Sequence, residues 1–127
     1  MNATTRPGRR ILFIDDDDLI VRLTSVTLTR AGHRVSSFSD PQVALDLFRA
    51  VPDSFDLVVA DIQLGSLTGV ELAARMLAIR PDMPIVLTSG MILEEDRERA
   101  LAAGVRAVLP KAQVMTDLPG VVERILR

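Results

Sequence analysis

Short apolar runs alternate along this chain with longer segments in which apolar residues recur every three or four positions. A continuous apolar run is typical of a strand buried on both faces of a parallel sheet, and the three-to-four spacing is typical of a helix. The runs predict strands at about 10–14, 55–60, 84–87 and 105–109, and the more polar segment 33–38 is predicted to be a short strand as well. The spaced patterns predict helices at about 19–30, 41–48, 70–79, 93–103 and 117–126.

Local signals mark several of the predicted helix ends. Asp40-Pro41 places a capping acid before a proline at the first helical position, and Gly32 and Gly104 follow helices that they can close. Strands and helices therefore alternate five times through short connections. Since such crossovers are right-handed, the pattern predicts an α/β fold of (βα)₅ type, a doubly wound parallel sheet with helices on both faces.

The first strand runs directly into four consecutive carboxylates, Asp15 to Asp18. They follow the carboxyl end of a strand, where open α/β sheets bind ligands. Clustered carboxylates repel one another unless a cation offsets their charge, and an all-oxygen site suits Mg²⁺ or Mn²⁺. A solvated acidic turn with one Asp capping the next helix explains this stretch equally well.

Composition narrows the classes of function. The 127 residues suit one domain, and the absence of cysteine excludes disulfides and thiolate metal sites. No apolar segment has signal-peptide or membrane-spanning character, so we expect a cytoplasmic protein without a membrane partner. The net charge of −2 and only four Phe argue against direct nucleic-acid binding. Residues 1–9 are polar and predict a disordered tail or linker, which leaves 10–127 as the domain.

The predicted strands end in a set of residues suited to phosphoryl chemistry. The first ends at Asp15 and Asp16, the third at Asp61, the fourth at Thr88 and the fifth at Lys111, the single lysine of the chain. All five residues should share one edge of the sheet. A carboxylate can attack phosphorus to form an acyl phosphate, while a metal, an amine and a hydroxyl neutralise the phosphoryl oxygens.

These strand ends resemble the response-regulator receiver domain of two-component signalling over residues 10–127. The fold implied by the resemblance is flavodoxin-like, with strand order 2-1-3-4-5. The matching segments are Ile14-Asp15-Asp16-Asp17, Leu57-Val58-Val59-Ala60-Asp61, Leu67-Thr68-Gly69, Ile85-Val86-Leu87-Thr88-Ser89 and Leu109-Pro110-Lys111.

The resemblance implies a role for each matching acid. By position, Asp61 is the phosphoacceptor and a ligand of Mg²⁺ or Mn²⁺. Asp16 resembles the direct metal ligand, and Asp15 the acid that acts largely through water. The backbone carbonyl of Gln63 is implied as a further ligand.

The resemblance also implies the partners. Thr88 is the switch hydroxyl, Lys111 pairs with the phosphoryl group, and the donor is a histidine kinase or a histidine phosphotransfer protein. The expected output is a conformational change that an unknown downstream protein reads. The domain is then not an enzyme, apart from slow self-dephosphorylation. It is expected either to stand alone or to be the receiver part of a hybrid histidine kinase. His33 is predicted to be a surface residue far from this edge.

Three positions depart from the family pattern. Leu64-Gly65 stands where receivers usually have Met-Pro, and glycine loosens a loop that proline would stiffen. Ala112 replaces a proline whose peptide bond is usually cis, so we expect a trans bond that allows Lys111 to move. Val108 replaces the aromatic partner of the switch hydroxyl, which predicts an atypical or muted output on helix four, strand five and helix five.

Three other functions fit parts of the chain. A phosphorylation-independent interaction module would explain the departures but not the retained acids, hydroxyl and amine. A small aspartate-nucleophile phosphatase of the haloacid-dehalogenase type fits the first acids with Thr88 and Lys111. It leaves Asp61 without a role and expects Thr or Val where Leu19 stands. A nucleotide-binding flavodoxin-like domain would need a glycine-rich first loop, and this loop is acidic.

Overall fold

A computed structural model of the protein describes residues 8–91 and 93–127. Within them five parallel strands form one sheet in the order β2-β1-β3-β4-β5, which confirms the predicted fold class and strand order. The strands are β1 (Arg10–Ile14), β2 (Arg34–Phe38), β3 (Leu57–Asp61), β4 (Ile85–Ser89) and β5 (Ala107–Pro110). The helices are α1 (Asp18–Arg30), α2 (Pro41–Ala50), α3 (Gly69–Ile79), α4 (Glu94–Ala102) and α5 (Val114–Ile125).

Two apolar layers cover the two faces of the sheet. Because successive strand residues point to opposite faces, Leu12 and Ile14 pack with α2 and α3, whereas Ile11 and Phe13 pack with α1 and α5. All four side chains are fully buried. Both faces of the central strands are therefore apolar. Because the strands are parallel, the residues that follow them all lie at the carboxyl edge of the sheet.

The predicted boundaries were least accurate at the end of the chain. Strand five begins at Ala107 rather than 105, and the last helix begins at Val114 rather than 117, after a 3₁₀ turn at Lys111–Gln113. Aspartate is common at the N-cap of a helix, but Asp117 lies inside the first turn of α5. Pro119 lies inside the helix as well. Proline usually ends a helix, but α5 continues through Pro119, and burial of Val114 and Leu118 in the core stabilises it.

The segment predicted as a tail reaches the folded part at its last two residues. Residues 1–7 lie outside the described residues. Arg9 donates its backbone N–H to Nδ1 of His33 at 3.1 Å and its guanidinium to the carbonyl of Leu126 at 2.7 Å. Among the described helices, none is long and apolar enough to cross a membrane.

Arg10 and Asp56 join the start of β1 to the turn before β3. The backbone N–H of Arg10 lies 2.8 Å from Oδ2 of Asp56, and its guanidinium donates to both carboxylate oxygens at 3.2 and 3.1 Å. These hydrogen bonds from Arg10 hold the pKa of Asp56 below its usual value.

Replacing Asp56 with Asn should therefore lower the free energy of unfolding at neutral pH. The folded-state pKa of Asp56 lies below its unfolded value, so the stabilisation is complete above about pH 4 and is lost as pH falls through the folded-state pKa. Urea unfolding at a series of pH values should show wild type and variant converging in acid. A constant difference at every pH would contradict this assignment.

Candidate functional site

The ends of the parallel strands bring the predicted acids together. Asp15 follows β1 directly, and Asp61 is the last residue of β3. Thr88 on β4 is the register partner of Asp61, and Lys111 follows β5. Asp15, Asp61 and Thr88 are 0%, 3% and 1% exposed, so the site forms a buried floor at the carboxyl edge of the sheet.

Lys111 supplies a positive charge to this buried floor. Its Nζ lies 2.8 Å from Oδ2 of Asp61 and 3.1 Å from Oδ2 of Asp15, and it donates a longer hydrogen bond of 3.4 Å to Oδ1 of Asp15. Partial burial lowers the pKa of Lys111, but the hydrogen bonds to Asp61 and Asp15 and their charges outweigh it and hold the pKa above its usual value. Lys111 is therefore charged at neutral pH.

Asp15 is held from two sides. Its Oδ1 accepts the backbone N–H of Asp17 at 2.9 Å, and the side chain of Asp17 in turn caps α1 by accepting the N–H groups of Leu19 and Ile20. Burial raises the pKa of Asp15, and the hydrogen bonds from Asp17 and Lys111 offset this only in part. The charged form of Asp15 is thus costly without a further cation.

The three acids form a cluster whose chemistry fits a hard divalent cation. Asp15, Asp16 and Asp61 each offer a carboxylate oxygen, and these oxygens lie within 4.8 Å of one another. Asp16 is exposed, while the other two are buried. Among the described residues, Lys111 is the only cation that pairs with Asp15 and Asp61, so an Mg²⁺ ion would compensate the remaining negative charge with the oxygen ligands that it prefers.

Two more predicted residues lie beside Asp61. Gln63 is exposed, and its backbone N–H donates to Oδ1 of Asp61 at 3.2 Å, so each oxygen of this carboxylate has its own donor. The hydroxyl of Thr88 is buried and has no hydrogen-bond partner among the described residues. Since a buried polar group is costly when unpaired, this hydroxyl is suited to an incoming polar ligand.

Comparison with known proteins identifies the family to which this fold belongs. The family model described as the response regulator receiver domain matches residues 11–123. The chain belongs to the receiver domain family.

Curated relatives and solved structures agree with this family. The receiver is 33% identical over 82 residues to the two-component response regulator ARR14 of Arabidopsis thaliana, a match that covers 65% of this chain and 22% of that protein. It is 26% identical over 118 residues to the transcriptional regulatory protein QseB of Haemophilus influenzae, covering 93% and 52% of the two chains. The receiver thus spans only part of these relatives.

Among solved structures, a receiver domain protein (CheY-like) from Methanospirillum hungatei JF-1 has a TM-score of 0.87 at 28% identity, with 94% of each chain covered. A receiver domain protein from Clostridium thermocellum has a TM-score of 0.88 at 24% identity and shares the fold, with 93% of this chain and 94% of that chain covered. Receiver domains are generally phosphoacceptors and not classical enzymes.

Lys111 reaches the acidic edge although alanine, and not proline, follows it. The described residues contain no cis peptide bond, so the bond before Ala112 is trans as expected. Lys111 is the first residue of the 3₁₀ turn at Lys111–Gln113, and its side chain contacts both Asp15 and Asp61. Lys111 therefore lies within reach of a group bound at Asp61.

The loop after Asp61 is also less open than glycine suggests. Leu64 and Leu67 are 4% and 6% exposed and belong to the core cluster on the α2–α3 side of the sheet. Gly65 between them has a φ of +81°. The loop therefore turns through a left-handed glycine, in a conformation that a proline at this position could not adopt.

Restoring the family's usual proline by Gly65→Pro should therefore destabilise this receiver. Proline fixes φ near about −65°, opposite in sign to the native angle. Gly65→Ala should cost about 1 kcal/mol for the left-handed conformation, and Gly65→Pro should cost more. Urea unfolding measures both, with Ser66→Ala as the exposed neighbouring control. A Gly65→Pro variant as stable as wild type would show that the turn has a different shape in solution.

Sequence reasoning missed the residues that close this loop. Thr68 and Glu71 form a capping box at the start of α3, and Gly69 lies against the backbone of Asp61 and Ile62. The spacing of Thr68 and Glu71 is a recognisable capping signal, but the close approach of Gly69 has no sequence signature. His33 lies at the opposite edge of the sheet, before the first residue of β2, and takes no part in the site.

Proposed function

We propose that Asp61 accepts a phosphoryl group from the histidine of a histidine kinase or a histidine phosphotransfer protein. The observation that carries this proposal is the buried Asp61 carboxylate, whose two oxygens are separately held by Lys111 and by the N–H of Gln63. A fixed carboxylate beside a cation is preorganised for attack, and phosphoryl transfer depends chiefly on such positioning and charge neutralisation.

Each residue has one part in the transfer. A carboxylate oxygen of Asp61 bonds to phosphorus while the P–N bond of the donor breaks, and the electron pair of that bond stays on the imidazole nitrogen. Lys111 shifts its ammonium towards the phosphoryl oxygens, and Thr88 donates its unpaired hydroxyl to one of them. Asp15, Asp16, Asp61 and the Gln63 carbonyl would hold Mg²⁺, which would neutralise phosphoryl charge. Slow hydrolysis of the acyl phosphate returns Asp61.

The donor has an apolar surface to contact beside the site. Leu19, Leu23 and Val26 on α1 are 62%, 45% and 48% exposed, and their spacing places them along one helix face. Because α1 begins three residues after Asp15, a protein whose histidine reaches Asp61 must also cover the start of this helix. We assign this face to the phosphoryl donor.

The output of this receiver is proposed to be atypical. Val108 is 5% exposed and packs in the core cluster that contains Leu87 and Ala100, so it has no aromatic ring to swing between buried and exposed positions. We expect small shifts of β5 and α4 between the free and the beryllofluoride-bound forms. Shifts of the size usual for receivers would remove this part of the proposal.

The test of the transfer is intact mass after incubation with acetyl phosphate. The proposal expects one hydroxylamine-labile phosphoryl adduct in the presence of Mg²⁺ and little or none in EDTA. No adduct from a folded, Mg²⁺-supplied protein would contradict it and favour the phosphorylation-independent interaction module.

A further inference from the structure

The loop between β3 and α3 closes on itself beside Asp61. Gln63 and Thr68 face each other in an antiparallel bridge, and the N–H of Gly69 donates to the carbonyl of Ile62 at 2.7 Å. Leu64 and Leu67 anchor the loop in the core between these contacts. The loop is thus a closed unit with its two ends fastened together.

Gly69 lies directly against the backbone of Asp61 and Ile62 where the loop closes. A Cβ at position 69 would collide with the backbone oxygen of Asp61, and it would lie 2.8 Å from Cα of Ile62 and 3.0 Å from the carbonyl carbon of Asp61. All three atoms belong to the backbone at the end of a fully buried strand, so none can rotate away. As the first residue of α3, this position would otherwise favour a better helix former than glycine.

The contacts that close the loop are linked to the Asp61 carboxylate through the backbone of Ile62 and Gln63. Fixing the backbone at Ile62 fixes the next N–H, that of Gln63, which donates to Oδ1 of Asp61. The other side of the closure is fixed by α3, because Thr68 accepts the N–H of Glu71 at 3.1 Å and Glu71 accepts the N–H of Thr68 at 3.2 Å. Leu72 and Met76, both fully buried, hold α3 to the sheet.

We propose that Gly69 and the Thr68–Glu71 capping box are positioning residues for the acidic site. Gly69 permits the close approach, the capping box holds it, and together they set the backbone of residues 61–63. That backbone carries the Asp61 carboxylate and the Gln63 carbonyl, so the closure determines how well the site binds a divalent cation and accepts phosphate. This inference rests on the proposed function.

The test compares Gly69→Ala with Gly120→Ala. Gly120 lies in α5 with open space around its missing Cβ, so it controls for the substitution itself. We expect Gly69→Ala to weaken Mg²⁺ binding measured by calorimetry by about 10- to 100-fold, the usual effect of losing a group that orients metal ligands. Amide exchange at Gln63 should accelerate, and Gly120→Ala should match wild type in both measurements.

A second variant separates positioning from folding. Thr68→Ala removes the cap without adding an atom that can collide, so it keeps the test valid if Gly69→Ala does not fold. We expect it to weaken Mg²⁺ binding by several-fold and to speed exchange at Gln63 at temperatures where the variant is fully folded. A merely structural role would leave the affinity of the folded protein unchanged.

The outcomes also distinguish this inference from the proposed function. Wild-type Mg²⁺ affinity in folded Gly69→Ala, or in Thr68→Ala where Gly69→Ala does not fold, would overturn the positioning role while leaving Asp61 as the phosphoacceptor. Failure of the wild-type protein itself to bind Mg²⁺ and accept phosphate would overturn the proposed function and this inference with it.

Discussion

Replacing Asp61 with asparagine will abolish the phosphoryl adduct formed with acetyl phosphate and Mg²⁺. The amide keeps the size of the side chain but cannot attack phosphorus as a carboxylate does. The variant loses the ion pair between Asp61 and Lys111, but it also loses one charge from a cluster of three carboxylates, and Lys111 keeps its contact with Asp15. The variant should therefore remain folded. Intact mass spectrometry measures the adduct, and thermal unfolding confirms the fold.

The matched control for this variant is Asp46→Asn. Asp46 lies on α2 and pairs with the exposed Arg49 at 3.5 Å, away from the carboxyl edge of the sheet. This control should accept phosphate at the wild-type rate. An adduct that persists in Asp61→Asn would show that another residue is the acceptor, with Asp15 and Asp16 the first to examine.

Replacing Lys111 with methionine will destabilise the metal-free protein by about 2–3 kcal/mol. Lys111 is the only cation in contact with Asp15 and Asp61 among the ion pairs of the described residues, and both carboxylates are buried. Removing one partner of a buried ion pair typically costs about 3–5 kcal/mol, and the cost is reduced here because Lys111 is partly exposed. Methionine retains most of the apolar stem.

The same variant should gain more stability from Mg²⁺ than wild type does. A divalent cation then replaces the missing ammonium in a cluster that carries more negative charge. Urea unfolding in EDTA and in Mg²⁺ measures both effects, and Arg49→Met, which breaks an exposed pair, should change little. Equal stability of Lys111→Met and wild type in EDTA would contradict the assigned role of Lys111 in the floor.

The sequence predicted the fold because each element is locally consistent with it. Continuous apolar runs of this length are typical of buried strands, and Asp40-Pro41 marked the start of α2, where Asp40 does accept the N–H of Gln42. The site followed from topology alone, since the carboxyl ends of parallel strands share one edge. That argument placed Asp15, Asp61 and Lys111 together before any distance was known.

The parts that could not be predicted depend on contacts between distant segments. Nothing local indicates that Lys111 keeps its place with Ala112 behind it, because its position is set by two carboxylates on other strands. The close approach of Gly69 depends in the same way on the path of the backbone at Asp61. The sequence shows that Gly65 stands where receivers usually have proline. Only the structure shows that this glycine turns the loop through a positive φ.

The most direct test of Asp61 as phosphoacceptor is to locate the phosphoryl group by borohydride reduction. Borohydride supplies hydride to the acyl carbon of an aspartyl phosphate, phosphate leaves, and that carbon becomes the hydroxymethyl carbon of homoserine. After treatment with acetyl phosphate and Mg²⁺, peptide mass spectrometry should find homoserine at position 61 and unmodified aspartate at positions 15 and 16. Homoserine at either of those positions, or at none, would contradict the account.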